Sequence, residues 1–455
     1  MARSVTQDMT VGSPTKLILK FSVPMLIGNL FQQFYNMVDS IVVGRFEGKD
    51  ALAAVGATGS IIFLIFGLTF GLSAGISIVV SQYFGAKDYK NVQKSFATAS
   101  YIIFAAAIIF GIIGFFSSRW LLELLNTPAS IIDQSDIYMK ISFAGILGVA
   151  SYNGMSAVLR ALGDSTTPLI FLIVASVLNV ILDLLFVVEF GWGVPGVAIA
   201  TIIAQFISGL GCIIYALAKV KILRMPLKEF KPDKEIFRKC IRLGIPVAIQ
   251  NSFVSVSLMA MQGVINSFNE VVIAANTAAA RIEQLVLQPS MSVGAAVASF
   301  TGQNIGAGKI DRARKGLRSA SMIIIIFALI MLPVMYFGSE FIMGFFTNKD
   351  DVEVVKVGVE AIRVTSFFYA FVGFIFVTRN FLSGTGDINI PMIMGFSEVV
   401  VRVILANVLA GFLGYHGIWW STAFTWLITA FVGILRVLSG KWKNKSVVQT
   451  SQAME

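Results

Sequence analysis

The chain has 455 residues, 56% of them hydrophobic and only 13% charged, with a mean hydropathy of +0.81. Soluble domains carry about 25% charged residues, so this composition excludes an ordinary soluble enzyme, and its hydrophobicity excludes a disordered chain. The formal charge of +10, from 35 basic and 25 acidic residues, would suggest nucleic acid in a soluble protein; here its placement along the chain gives another reason for it.

Met1 to Thr15 are polar and lack the apolar run of a cleavable signal peptide. Beyond them come long stretches without charge: Asp50 to Lys87, Lys94 to Arg119, Glu189 to Lys219, Arg242 to Glu270, Glu283 to Lys309 and Arg402 to Arg436. About 20 apolar residues cross a bilayer core as a helix. Predicted spans centre near residues 30, 65, 106, 148, 178 and 205, then near 252, 290, 328, 368, 402 and 426. The expected fold is an all-α polytopic membrane protein of about twelve transmembrane helices.

Basic residues collect on one side of these spans. They include Lys16 and Lys20, Lys87 to Lys94, Lys219 to Arg242, Lys309 to Arg318, and Arg436 to Lys445. Glu123, Asp133, Asp136, Glu189, Asp350 and Asp351 fall on the other side. The excess is the positive-inside bias, which puts both termini in the cytoplasm and removes the case for nucleic acid.

The two halves repeat at an offset of 221 to 223 residues. Val23-Pro24 matches Ile245-Pro246, Gly85-Ala86 matches Gly306-Ala307, Gly163-Asp164 matches Gly386-Asp387, and Gly193, Gly196 and Thr201 match Gly414, Gly417 and Thr422. An even number of spans per half implies a parallel repeat, a plan used by secondary transporters. The expected organisation is a tail over 1–15, an amino-terminal lobe over 16–222, a linker over 223–236, a carboxy-terminal lobe over 237–440 and a tail over 441–455. Rocking of one lobe against the other would give alternating access.

Polar groups inside a membrane are costly and therefore functional candidates. Asp39 lies on the first span, Asn179 and Asp183 share a face of the fifth, and Thr201 lies on the sixth. Helical rise puts them ~8, ~15, ~9 and ~12 Å from the same membrane face, so they can meet. Two carboxylates, an amide oxygen and a hydroxyl suit a hard cation such as Na+; the same carboxylates can instead share a proton, and a structural hydrogen-bonded knot is the third reading. Pro24, fifteen residues before Asp39, permits a kink that could link the site to bending of the first span.

The second half keeps only Thr422 of this set: Met261 and Ala406 stand at the positions of Asp39 and Asp183, and Arg402 near that of Asn179. Its own membrane charges are Arg281, Glu283, Arg379, Glu398 and Arg402, candidates for gating or substrate contact or for mutual compensation. Gly67, Gly71 and Gly75 form a stripe for close helix packing. Cys212 and Cys240 read as buried, and His416, the one histidine, cannot make a multi-histidine metal site or a catalytic set. Gly308-Lys309 is no phosphate loop, since Ile310 stands where Ser or Thr is required. An ion gradient is thus the expected energy source, with no cofactor besides Na+ or H+.

These residues resemble the multidrug and toxic compound extrusion (MATE) family over Lys16 to about Lys441. The resemblance rests on Pro24, on the run from Phe31 to Asp39, on Leu52 to Gly56, on the paired Gly-Ala motifs, on Arg160 to Asp164, and on Asn179 with Asp183. It implies a V-shaped antiporter of two six-helix lobes that exports organic cations or amphipathic drugs for Na+ or H+, with the cation held by Asp39, Asn179, Asp183 and Thr201. The seventh span, Val247 to Asn269, has no acid, so the chain is more similar to the DinF-like branch. Such a protein would reside in the cell membrane as a monomer among lipids, with small amphipathic molecules as partners. Rival readings are a flippase for lipid-linked precursors, using Arg281, Arg379 and Arg402, and a channel or intramembrane enzyme.

Overall fold

A helix satisfies its own backbone polar groups, which lipid cannot do, so a chain of apolar runs punctuated by glycine and charge folds as helices. The computed structural model describes residues 6–347 and 351–448; Asp350 and the outer ends of both tails lie outside the described residues. Among those residues there are fourteen α-helices and no strand. In chain order they are α1 (Pro14–Val42), α2 (Lys49–Gly85), α3 (Tyr89–Leu124), α4 (Ile132–Ala144), α5 (Ile146–Ala161), α6 (Thr166–Asp183), α7 (Gly193–Lys219), α8 (Lys234–Ile265), α9 (Glu270–Gly306), α10 (Ile310–Met343), α11 (Val352–Ser366), α12 (Tyr369–Thr385), α13 (Asn389–Leu413) and α14 (His416–Leu438).

Eight of these are singly long and apolar enough to cross a membrane, and two bent pairs bring the number to ten. The pairs are α4 with α5, bent by 48°, and α11 with α12, bent by 54°. The fourth and tenth predicted spans are thus each broken, which hydropathy does not register. Gly145 sits at the first break, where an added Cβ would lie 2.3 Å from the Ile202 side chain of α7. The remaining two, α1 and α9, have 29 and 37 residues. Both have the length of a crossing, but Asp39, Asn36, Gln32 and Gln33 in α1, and Arg281, Glu283 and Gln284 in α9, dilute their apolar character.

The chain divides into two compact units. One centres on Val23–Ala248; the other takes Met9–Ser22 and the chain from Ile249. The division falls inside α1 and α8, close to the internal prolines Pro24 and Pro246. In the first unit α5 packs on α7 and α2, and α6 on α7; in the second α12 packs on α9, and α13 on α14.

The duplication is written into the backbone as well as the sequence. Gly163 and Gly386 both take φ near +90°, at +87° and +91°, after matching helices. Gly193 and Gly414 do the same at +58° and +59°. These left-handed positions favour glycine because a Cβ is strained there.

Two further expectations meet the structure here. Gly71 and Gly75 of the glycine stripe press on α8: a Cβ on either would come within 2.4 Å of the Ala248 or Gly244 backbone. Gly67 has nothing within 4 Å and takes no part. The linker lies along α3, held by Lys94 to Asp233 (3.1 Å), by Tyr101 to the Phe230 carbonyl (3.2 Å), and by the Asp233 amide donating to Thr98 (2.9 Å).

Candidate functional site

The polar residues of the first unit are collected by helical spacing. On α1, Tyr35 and Asp39 are one turn apart; on α6, Asn179 and Asp183 are one turn apart. The carboxyls of Asp39 and Asp183 come within hydrogen-bonding reach of each other. Asn179 donates from Nδ2 to the Thr201 hydroxyl of α7 at 3.3 Å, and Tyr35 stands beside the same threonine. Tyr138 of α4 stands close enough to sense the charge of both acids. The four residues expected from sequence therefore do come together, and two tyrosines join them.

The hydrogen-bond account of this cluster does not close. Asp39 Oδ1, both carboxylate oxygens of Asp183 and Asn179 Oδ1 are buried and have no donor. Asp183 and Asn179 are almost completely inaccessible, at 0% and 1%. Buried acceptors without a donor are expensive. Four of them converging define a place for a positive charge: a proton shared by the carboxyls, or a small cation with oxygen ligands.

Both acids stand where a helix widens. α1 passes into a π-helical turn at Val43–Glu47, and α6 does so at Leu184–Glu189, directly after Asp183. Such turns are rare and recur at functional sites. Val42, Val43, Val187, Val194 and Val197 pack together there, with Val38 and Tyr138 against them, making an apolar cap beside the acids. Nothing in the local sequence announces a π-turn. Tyr35, by contrast, was open to the same i, i+4 argument that paired Asn179 with Asp183.

Asp39 opens on a cavity of about 340 Å³, within the range of small-molecule sites. Its wall includes Tyr35, Tyr138 and Thr201 from the set above, with Pro24, Gln32 and Phe66, and Asn153, Arg160 and Gln205. Asp183 is not in the wall; it backs Asp39 from the protein side. Pro24 lies at the opposite end of the cavity from Asp39, about 22 Å along α1.

Among the described residues the second unit has no such cluster. Met261 and Ala406 are buried at the repeat positions, and Thr422 bonds back to the Ile418 carbonyl at 3.2 Å. Instead the Glu398 carboxylate takes Arg379 on one oxygen and Arg402 on the other, each at 3.0 Å, while Arg402 also donates to Ser257 at 2.9 Å. Glu283 sits beside Thr365 and Tyr369, near Arg402. Arg281 is exposed on α9 and joins none of them. His416 pairs with Glu360 at 3.1 Å, at the start of α14.

The profile of the MatE family matches residues 24–185 and, again, residues 246–408, two copies starting 222 residues apart (24 against 246). The chain is 31% identical over 437 residues to the probable multidrug resistance protein YpnP of Bacillus subtilis, covering 96% of this chain and 97% of that protein. It is 26% identical to the multidrug export protein MepA of Staphylococcus saprophyticus, covering 93% of each. Among solved structures, a MATE protein in its bent conformation superposes with a TM-score of 0.90 at 24% identity, over 98% of this chain and 100% of that one. A MOP superfamily transporter from Pyrococcus furiosus gives 0.88 at 24%, over 98% and 99%. These likenesses establish the shared fold.

Proposed function

The chain belongs to the MatE family of multidrug efflux transporters, and on that premise we propose that it exports organic cations and amphipathic drugs in exchange for Na+ or H+. It is a multi-pass membrane transporter and not an enzyme. The observation that carries the coupling reading is the convergence of donorless oxygens from Asp39, Asn179 and Asp183 beside Thr201. A cation or proton there satisfies them; cargo entering the adjoining cavity meets Asp39 directly. Exchange follows if cargo and ion cannot both be held, because Asp39 faces the cavity on one side and Asp183 on the other.

Pro24 supports the motion. It lacks an N–H, so α1 has a missing hydrogen bond near the point where the helix passes from one unit to the other, and Pro246 repeats this in α8. We read these as the bends that allow alternating access. We read the cell membrane as the site of action and both termini as cytoplasmic, from the one-sided basic residues. The absence of an acid from Val247 to Asn269 supports the reading of a DinF-like branch with coupling in the first unit. The flippase reading is weakened, since Arg379 and Arg402 share the Glu398 carboxylate and the three together carry one net positive charge rather than two.

The test is ethidium efflux from membrane vesicles under an imposed sodium or proton gradient. Wild type is expected to extrude dye under one gradient, and Asp39→Asn to lose that response at equal protein level. Gradient-driven efflux retained in Asp39→Asn contradicts the assignment.

A further inference from the structure

The cavity of the first unit has a second charged end. Arg160, in the last turn of α5, lines it together with Ser165, Pro168 and Gln205. Among the described residues it makes no ion pair, and the groups that sense its charge are Tyr152 and Cys212. Asp164, four residues on, forms no ion pair with it: its Oδ1 accepts the backbone N–H groups of Thr166 and Thr167, each at 3.0 Å, and its Oδ2 is buried without a donor. Arg160 borders the cavity without a carboxylate partner among the described residues.

The separation of the two ends follows from packing. Gly28 of α1 lies against Leu169 and Leu172, just past Pro168. It precedes Asp39 by eleven residues, about 16 Å of helix. Met25, Leu169 and Leu172 make the Arg160 end of the wall apolar. An arginine with no carboxylate in low dielectric is costly, and its planar fork matches the oxygens of phosphate or carboxylate in bidentate fashion. We propose that Arg160 is an anion-recognition site in the cargo cavity, holding the phosphate or carboxylate of an amphiphile whose apolar body lies along Met25, Leu169 and Leu172. The cargo range then includes zwitterionic and acidic amphiphiles, not cations alone. This rests on the proposed function only in taking this cavity as the cargo site.

The experiment is calorimetric titration of the full-length protein in a maltoside detergent with decyl phosphate, inorganic phosphate and decyltrimethylammonium. Wild type should bind decyl phosphate as well as decyltrimethylammonium, the first at the Arg160 end and the second at the Asp39 end. Arg160→Gln should weaken decyl phosphate binding about 10- to 100-fold, with Arg160→Lys recovering part of it. Binding of inorganic phosphate that also depends on Arg160 identifies a free oxyanion as sufficient; binding of decyl phosphate alone identifies the amphiphile. Equal affinity of Arg160→Gln and wild type for decyl phosphate overturns the proposal. So does failure of wild type to bind decyl phosphate, an outcome that needs no variant to fold. No ion gradient enters this readout, so its outcome and that of the Asp39 efflux test are separable.

Discussion

The carboxyls of Asp39 and Asp183 face each other across α1 and α6 without a donor hydrogen on either side. Replacing one by an amide supplies that donor. Asp183→Asn should therefore fold at least as well as wild type, with a gain of up to about 1 kcal/mol, while ion-driven efflux is lost. Thermal unfolding in detergent, read beside vesicle transport, checks both halves. A large loss of stability would mean that the acids are a structural knot.

The Glu398 carboxylate holds two buried guanidiniums. Removing it leaves both uncompensated, and breaking such a buried pair costs about 3–5 kcal/mol. Glu398→Ala should lower the unfolding midpoint far more than Glu283→Ala, since Glu283 clamps no arginine among the described residues. Equal midpoints for the two variants would show that the triad is not a structural element.

Gly75 meets the backbone of α8 with no room for a methyl group, whereas Gly67 has open space. Gly75→Ala should cost about 1–3 kcal/mol through forced separation of α2 and α8. Gly67→Ala should be neutral or slightly favourable, given the helix propensity of alanine. Unfolding of the two variants side by side settles which glycines serve packing.

Asp233 caps α8 by accepting the Ile236 and Glu235 amides at 3.1 and 3.0 Å. The Ile236 N–H, with Lys94 adding to it, holds this carboxyl below the usual aspartate range. A depressed group contributes stability above its unfolded value, near 3.9, and loses it as pH falls through the folded value. Amide exchange of the linker, corrected for intrinsic rate, should be flat from pH 8 to 5 and rise only below about pH 4. Asp233→Asn should raise it throughout. Protection lost between pH 8 and 5 would assign the docking to another group.

Much of the candidate site was legible because its signals are local or periodic. A charge among apolar residues marks Asp39, the i, i+4 spacing joins Asn179 to Asp183, and helical rise puts Thr201 level with them. The repeat was legible because glycines at left-handed turns, Gly163 with Gly386 and Gly193 with Gly414, cannot readily be exchanged. What stayed hidden depends on distant partners. Tyr138 reaches the acids only because α4 is set off from α5 at Gly145, and that break answers to Ile202 on another helix. The π-turns after α1 and α6 leave no mark on composition. The i, i+4 spacing marks Glu398 and Arg402 as a self-compensating pair, but that Arg379 of α12 takes the other oxygen of the same carboxylate is seen only in the fold.

The most direct test of the exchange is ion release on cargo binding. Purified protein in weakly buffered detergent solution, with a pH-sensitive dye in one experiment and sodium-loaded protein in a parallel one, is titrated with ethidium. Wild type should give up a proton or a sodium ion as dye binds, and Asp39→Asn and Asp183→Asn should give up neither. Dye binding to wild type with no ion released, or release undiminished in both variants, would contradict the account.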